Sequence, residues 1–350
     1  MGRGRSEWFL SRLACKAIQL KMRILVTGKD GQLGRAFQKE FDCLFGSQNF
    51  AIQVRYIGRQ ECDLSDLNVL RKILNDFQPN LIINTAAYTA VDKAEQEPDL
   101  AFTINAIVPE VLAKYAVTHN AGLMHYSTDY VFDGEGSDFY LEDRPAHPLG
   151  IYGKSKAEGE RLIIDAFSKS NNANARYAIF RTSWVYGEGG NFIRTILRLA
   201  KDRGEIKVIA NQFGVPTSAQ WLATLSSFFL LDLSRARDVS LRDFQSGIYH
   251  VVPSGETSWH GLACEAVRVA NEAGASLMLA VEGVKPIPAV EYPLPAPRPM
   301  NSRLSTVKLA TELERLELMS KLADSNNVLS QPWSEPVCTY VKQLVAQGDL

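Results

Sequence analysis

An α/β fold, a doubly wound parallel sheet with a smaller mixed α/β cap, is what this chain predicts, on three observations. Short apolar runs at 23–27, 52–57, 79–84, 121–126 and 176–181 alternate with helical patterns. Several of these runs are apolar at nearly every position, as strands covered on both faces require. Regular alternation fades after Tyr186, where helices, short strands and a proline-rich run follow without a repeating unit. Successive βα units with short connections favour neighbouring parallel strands with helices on both faces.

The elements follow in order. Arg23–Thr27 is a β-rich run, and the next residues, Gly28, Gly31 and Gly34, open a helix from about Gln32 to Cys43. Strand, glycine turn and helix form the context in which a glycine motif binds a dinucleotide. Glycine lets the backbone approach a pyrophosphate, and the helix amino end offers unpaired N–H groups and a positive dipole end. The fold expectation is thereby sharpened to a Rossmann-type sheet, with G-x-x-G-x-x-G spacing. Ile52–Ile57 is the second strand. It runs into Arg59, and an arginine there suits the 2′-phosphate of NADPH where a carboxylate would suit the ribose of NADH. Asp63 in the next turn is placed to approach the adenine. The helix Asp66–Phe77 is apolar at Leu67, Leu70, Ile73, Leu74 and Phe77, an amphipathic period.

The third strand, Pro79–Asn84, ends in Thr85, Ala86, Ala87 and Tyr88, small-residue backbone able to pass close under a cofactor. A long helical pattern from Pro98 to His119 holds Asn105. Strand 121–126 then enters a polar stretch with Thr128 and Asp129. Later helices are expected at 191–203, 219–233 and 259–273, and strands at 206–209 and 248–252. The run Lys285–Pro299 reads as irregular, because proline is costly in a helix or central strand. Residues 22–186 and 218–252 would form the dinucleotide-binding domain, and 187–217 with 253–350 the cap. Residues 1–21, with five basic side chains and one acid, are set aside as a disordered extension or a mis-assigned start.

Composition narrows the class. The chain has 350 residues, 46% hydrophobic and 22% charged, with a net charge of −1. Near neutrality gives no electrostatic reason to expect nucleic acid or an acidic membrane as partner. No apolar run reads as a membrane-spanning helix. Five scattered cysteines without a CxxC pair fit reduced thiols and a cytoplasmic location.

Chemistry is expected where strand 121–126 ends, together with Tyr152 and Lys156. Four apart on a helix, these two side chains share one face. A neighbouring ammonium would lower the phenol pKa and make Tyr152 a usable proton donor, with Thr128 as a second hydrogen bond to a substrate oxygen. The bland alternative is a surface Tyr–Lys pair.

Eight blocks in order give the chain a resemblance to the dTDP-4-dehydrorhamnose reductases, a branch of the extended short-chain dehydrogenase/reductases. They are ILVTGKDGQLG (24–34), NTAAYTAVDKAE (84–95), HYSTDYVFDG (125–134), YGKSKAEGE (152–160), FRTSWVYG (180–187), NQFGVPT (211–217), TSWH (257–260) and PRPMNSRL (297–304). The resemblance implies NADPH-dependent reduction of the 4-keto group of dTDP-4-dehydro-β-L-rhamnose, giving dTDP-L-rhamnose for cell-surface polysaccharide such as O-antigen. It implies Thr128, Tyr152 and Lys156 as the catalytic set, and the cap as substrate-binding. Expected cofactor contacts are Gly28, Asp30, Gly31, Gln32, Leu33, Gly34, Arg59, Asp63, Leu64, Ala86, Ala87, Tyr88 and Asn105, with Tyr152 and Lys156. NADH is the alternative cofactor. Tyr130 and Trp184 are expected to line the sugar pocket, and Arg298, Asn301 and Ser302 to meet the diphosphate, because a guanidinium fork matches phosphate oxygens.

Similar dehydratases carry Asp-Glu after that threonine. Here Asp129 is followed by Tyr130, so the second carboxylate needed for elimination is missing. Some relatives bind Mg²⁺ at a subunit contact, and a homodimer is compatible with the family, but the sequence locates no metal site. Two rivals remain: another nucleotide-sugar reductase or epimerase of the same fold, and a non-catalytic regulatory subunit like that of methionine adenosyltransferase.

Overall fold

The structure, a computed structural model, describes residues 22–45, 52–170, 172, 174–230, 244–316 and 330–349. The expected extension at 1–21 lies outside the described residues.

Six parallel strands form the central sheet: β1 (Met22–Thr27), β2 (Ile52–Ile57), β3 (Leu81–Asn84), β4 (Gly122–Thr128), β5 (Arg176–Thr182) and β7 (Gly247–His250). Their spatial order is β7-β5-β4-β3-β1-β2. From β1 the chain goes first to β2 on one side and then to β3 on the other. The order therefore reverses between β1 and β3, and a crevice opens there at the carboxyl ends.

Two helical layers cover the sheet, and strand periodicity sorts the residues between them. Ile24 and Val26 face a core completed by α1 (Gln32–Phe45), by Leu222 and Leu225 of α6 (Ala219–Leu230), and by Leu309 of α8 (Val307–Arg315). Leu25 faces the other core with Leu70 and Leu74 of α2 (Leu67–Phe77), Leu112 of α3 (Pro98–His119) and Ile163 of α4 (Ile151–Ser168). Asp66 caps α2 by accepting from the amides of Asn68 and Val69, which replaces two of the bonds a helix start lacks.

Helix α3 packs its apolar residues inside the fold. By length and composition it is apolar enough to cross a membrane. Here Val108, Leu112, Ala113 and Ala116 are buried against the sheet instead. Its α-helical course is interrupted by a π turn at Thr103–Ile107.

The cap has its own cores, built by α5 (Phe192–Asp202), α7 (Trp259–Glu272) and α9 (Ser334–Ala346), with β6 (Ile206–Ile209) paired in parallel to β8 (Val284–Ile287). Thus the proline-rich run begins as a strand. Pro286 is tolerated because the pair has no third strand needing its missing N–H. Tyr186 belongs to the cap core, whereas Leu309 and Leu313, within the segment assigned to the cap, return to the core of the sheet.

Candidate functional site

At the carboxyl ends of β1 to β5 lies a cleft of about 1120 Å³, bounded on the far side by the start of α5, Trp184 and Trp259. The glycine turn forms its floor. Gly28 has φ +72°, and a Cβ there would lie 2.8 Å from the Ala86 backbone. A Cβ on Gly34 would lie 2.1 Å from the Gly28 carbonyl oxygen. Only glycine lets the turn, the start of α1 and the segment after β3 meet this closely. The amino end of α1 then faces the cleft, a seat for an anion. This cradle, in a cleft of that volume, fits a dinucleotide cofactor.

Sixteen of the residues predicted for the site line this cleft: Gly28, Asp30, Gly31, Gln32, Leu33, Arg59, Asp63, Leu64, Ala86, Ala87, Tyr88, Thr128, Tyr130, Tyr152, Lys156 and Trp184. Gly34 lies just behind it. Asn105, buried at the π turn, supports it from a distance. Its Oδ1 accepts from the Tyr88 amide at 2.8 Å, and its Nδ2 is 3.0 Å from both the Tyr88 carbonyl and Ser155 Oγ. It thereby ties the loop after β3 to α4.

The three residues expected to carry the chemistry converge from β4 and α4. Thr128, the last residue of β4, donates to Asp129 Oδ1 at 2.9 Å and accepts the Tyr130 amide. Tyr152 is half-buried beside Thr128, with its ring edge-on to Tyr130 at 5.4 Å. Lys156, 1% exposed, donates to the Tyr126 carbonyl at 2.6 Å and lies 3.2 Å from His125 Nε2.

This geometry corrects the expected electrostatics. Burial pushes the Tyr152 phenol up to about 12, with Thr128 acting against the shift and the Asp129 charge adding to it. Lys156 does not lower it here, because its Nζ is directed to β4. Burial lowers the Lys156 ammonium itself to about 8, with Glu160 acting against the shift. Asp129, which the sequence reading did not single out for a role in reduction, is 2% exposed and is raised by burial to about 6.

On the cap side the Trp184 indole stacks on Trp259, with centroids 3.8 Å apart and planes 13° from parallel. Phe192 leans on Trp259 from α5 at 4.7 Å. Trp184 has φ +48°, the left-handed region, which costs a non-glycine residue about 1–2 kcal/mol. A Cβ on Gly214 would lie 2.7 Å from the same indole. Trp259 was not among the predicted site residues. Its available signal was the Ser258 cap, which places it at the first position of α7.

Arg298, Asn301 and Ser302 are engaged away from the cleft lining. Arg298 pairs with Asp92 at 2.9 Å, and Asp92 also accepts the Ala296 amide. Asn301 accepts the Arg303 amide and donates to the Asp138 carbonyl, while buried Ser302 lies beside Asp129 and favours its charged form. These residues pin the proline-rich strap to the first domain. Among the described residues, no group of three or more His, Cys, Asp and Glu side chains is placed to hold a metal.

Comparison with known proteins identifies the family. Residues 22–324 match the family model described as RmlD substrate binding domain. The dTDP-4-dehydrorhamnose reductase of Burkholderia thailandensis is 40% identical over 291 residues, 82% of this chain and 92% of that protein. That of Escherichia coli K12 is 40% identical over 289 residues, 82% of this chain and 90% of that protein. Among solved structures, a dTDP-4-dehydrorhamnose reductase from Clostridium acetobutylicum superposes with a TM-score of 0.73 at 33% identity, covering 92% of this chain and 99% of that one. One from Bacillus anthracis, in complex with NADP, also gives 0.73, at 31% identity over 93% and 100% of the two chains. With its glycine cradle, its Thr–Tyr–Lys set and a family match spanning sheet and cap, the chain belongs to the dTDP-4-dehydrorhamnose reductase family.

Proposed function

We propose that this protein reduces the 4-keto group of dTDP-4-dehydro-β-L-rhamnose to dTDP-L-rhamnose with NADPH. The observation that carries the reading is the meeting of Thr128, Tyr152 and Lys156 in one cleft with the glycine cradle. The bound nicotinamide supplies the hydride. The chain's residues supply the proton and hold the oxygen that receives it. Tyr152, with its pKa pushed up to about 12, keeps its proton at neutral pH and has one to give. Thr128 lies beside the phenol, and its single hydroxyl proton, which goes to Asp129 in this structure, would turn to the substrate carbonyl oxygen. Lys156 has one remaining N–H direction for a ribose hydroxyl.

Arg59 stands exposed at the end of β2 on the cleft wall, where a 2′-phosphate would sit. A solved relative carries NADP, which supports NADPH. Tyr130 and Trp184 would flank the deoxysugar. The four described cysteines are unpaired, as a reducing compartment favours, and we place the protein in the cytoplasm.

The test is to supply purified protein with the keto sugar made in situ, follow NADPH oxidation and identify the sugar product. A different product from a panel of dTDP- and UDP-keto sugars would assign another reductase of this fold. Absence of turnover with every sugar, together with stoichiometric capture of a larger enzyme, would assign a regulatory subunit.

A further inference from the structure

Behind the cleft, four buried polar side chains form a line across three strands. Thr27 and Asn84 end β1 and β3 and are paired directly, and Asn84 is paired in turn with His125 in the middle of β4. Thr27 Oγ1 is 2.6 Å from Asn84 Oδ1, Asn84 Nδ2 is 2.9 Å from His125 Nδ1, and His125 Nε2 is 3.2 Å from Lys156 Nζ. The first three are fully buried and Lys156 is 1% exposed. Polar groups buried this deeply are costly unless each finds a partner of the opposite kind. Donor and acceptor must therefore alternate along the whole line.

Only two alternations satisfy it. If Lys156 is an amine, its lone pair needs a donor, and since the Tyr126 carbonyl can only accept, His125 donates from Nε2, accepts on Nδ1 from the Asn84 amide nitrogen, and Thr27 donates to the Asn84 oxygen. This is the amide orientation seen in the structure. If Lys156 is an ammonium, it donates to His125 Nε2. The histidine proton then sits on Nδ1, the Asn84 oxygen must turn to meet it, and Thr27 accepts. We infer that Thr27, Asn84 and His125 are positioning residues whose hydrogen-bond polarity is locked to the charge of Lys156, with His125 neutral in both states and changing tautomer.

The inference deepens the reductase reading and rests on it for its consequence: the line sets when Lys156 can serve a ribose hydroxyl as a cation. Other titratable groups face this pair. Tyr152 lies one turn back on α4. Glu160 lies one turn on and is paired with Arg181 of β5. Asp129 lies beyond Thr128, and α3 presents the neutral Asn105. Burial favours the neutral forms of both Lys156 and His125, and the positive Lys156 further opposes a second charge on the imidazole.

The decisive measurement uses no substrate. In ¹⁵N-histidine-labelled protein, with His125 assigned by its absence in His125→Gln, the two ring nitrogens report the tautomer across the Lys156 titration. The expected result is a neutral ring whose proton moves from Nδ1 to Nε2 as pH rises through the Lys156 midpoint. A ring fixed in one tautomer, or one that becomes imidazolium, overturns the inference. In the enzyme, His125→Leu should move the basic limb of the kcat profile to lower pH by about one unit, the size of one hydrogen bond to a charged group. His125→Gln, able to accept and donate, should restore most of that shift, and an equal shift in both variants would leave only packing. If His125→Leu does not fold, the wild-type tautomer measurement decides alone. A wild type without reductase turnover sinks the functional reading, whereas an active wild type with a fixed tautomer sinks only this inference.

Discussion

The two walls of the cleft are made differently. The sheet wall is a set of strand ends in register, braced from behind by short hydrogen bonds among buried side chains. The cap wall is aromatic surface: Trp184 on Trp259 on Phe192, carried by helix starts and a strained backbone position. Directional bonds fix atoms to within a fraction of an ångström, which proton transfer needs. Stacked rings present area and shape, which suit a sugar face. Chemistry should therefore fail steeply when the sheet wall is altered, and recognition should fail gradually when the cap wall is altered.

Four substitutions test that contrast. Tyr152→Phe keeps the ring and its edge-on contact with Tyr130 but removes the proton, so turnover should fall by about 10²–10⁴-fold with cofactor affinity nearly intact. A loss within threefold would remove Tyr152 from the chemistry. Arg59→Ala should weaken NADPH by about 10–100-fold, one charge-assisted contact, with little change for NADH. Isothermal titration with both cofactors measures it, and equal losses would mean that Arg59 only shapes the loop.

Asp129→Asn should make the protein more stable at neutral pH, by about 1–3 kcal/mol. The folded-state pKa is raised to about 6, against an unperturbed 3.8. Between those values the folded state binds more protons than the unfolded one, so the wild type loses stability as pH rises from about 4 to about 6. Denaturant melts across that range should show the slope in the wild type and a flatter line in the variant. Trp259→Ala should raise KM for the sugar nucleotide by about two- to tenfold, the worth of one stacked aromatic pair, with kcat and cofactor affinity little changed. A comparable fall in cofactor affinity would show that the cap wall also supports the sheet side.

The sheet was legible because strands buried on both faces leave long apolar runs, and the glycine cradle because three glycines after a strand have few other uses. Spacing placed Tyr152 and Lys156 on one face of α4, but it could not say where a flexible four-carbon side chain would end. The Tyr126 carbonyl and His125, 30 and 31 residues away, decide that. Arg298 was unreadable for the same reason on a larger scale. Its partner Asp92 lies 206 residues earlier, and a proline-stiffened loop reveals rigidity without saying what it is rigid against. The Trp184–Trp259 stack joins two blocks that the sequence shows separately. Nothing local announces their contact.

Beneath the site, Arg181 of β5 and Glu160 of α4 form a bidentate pair, each side chain 4% exposed, with bonds of 2.9 and 2.6 Å. Losing one partner would strand a buried charge, at a cost of about 3–5 kcal/mol, comparable to the whole margin by which many domains stay folded. Replacing both by apolar residues of matching volume would cost far less. Descendants of this sequence are therefore confined to two islands, one with both charges and one with neither. A lineage can cross between them only after it has gained stability elsewhere, so these two positions should change together and seldom.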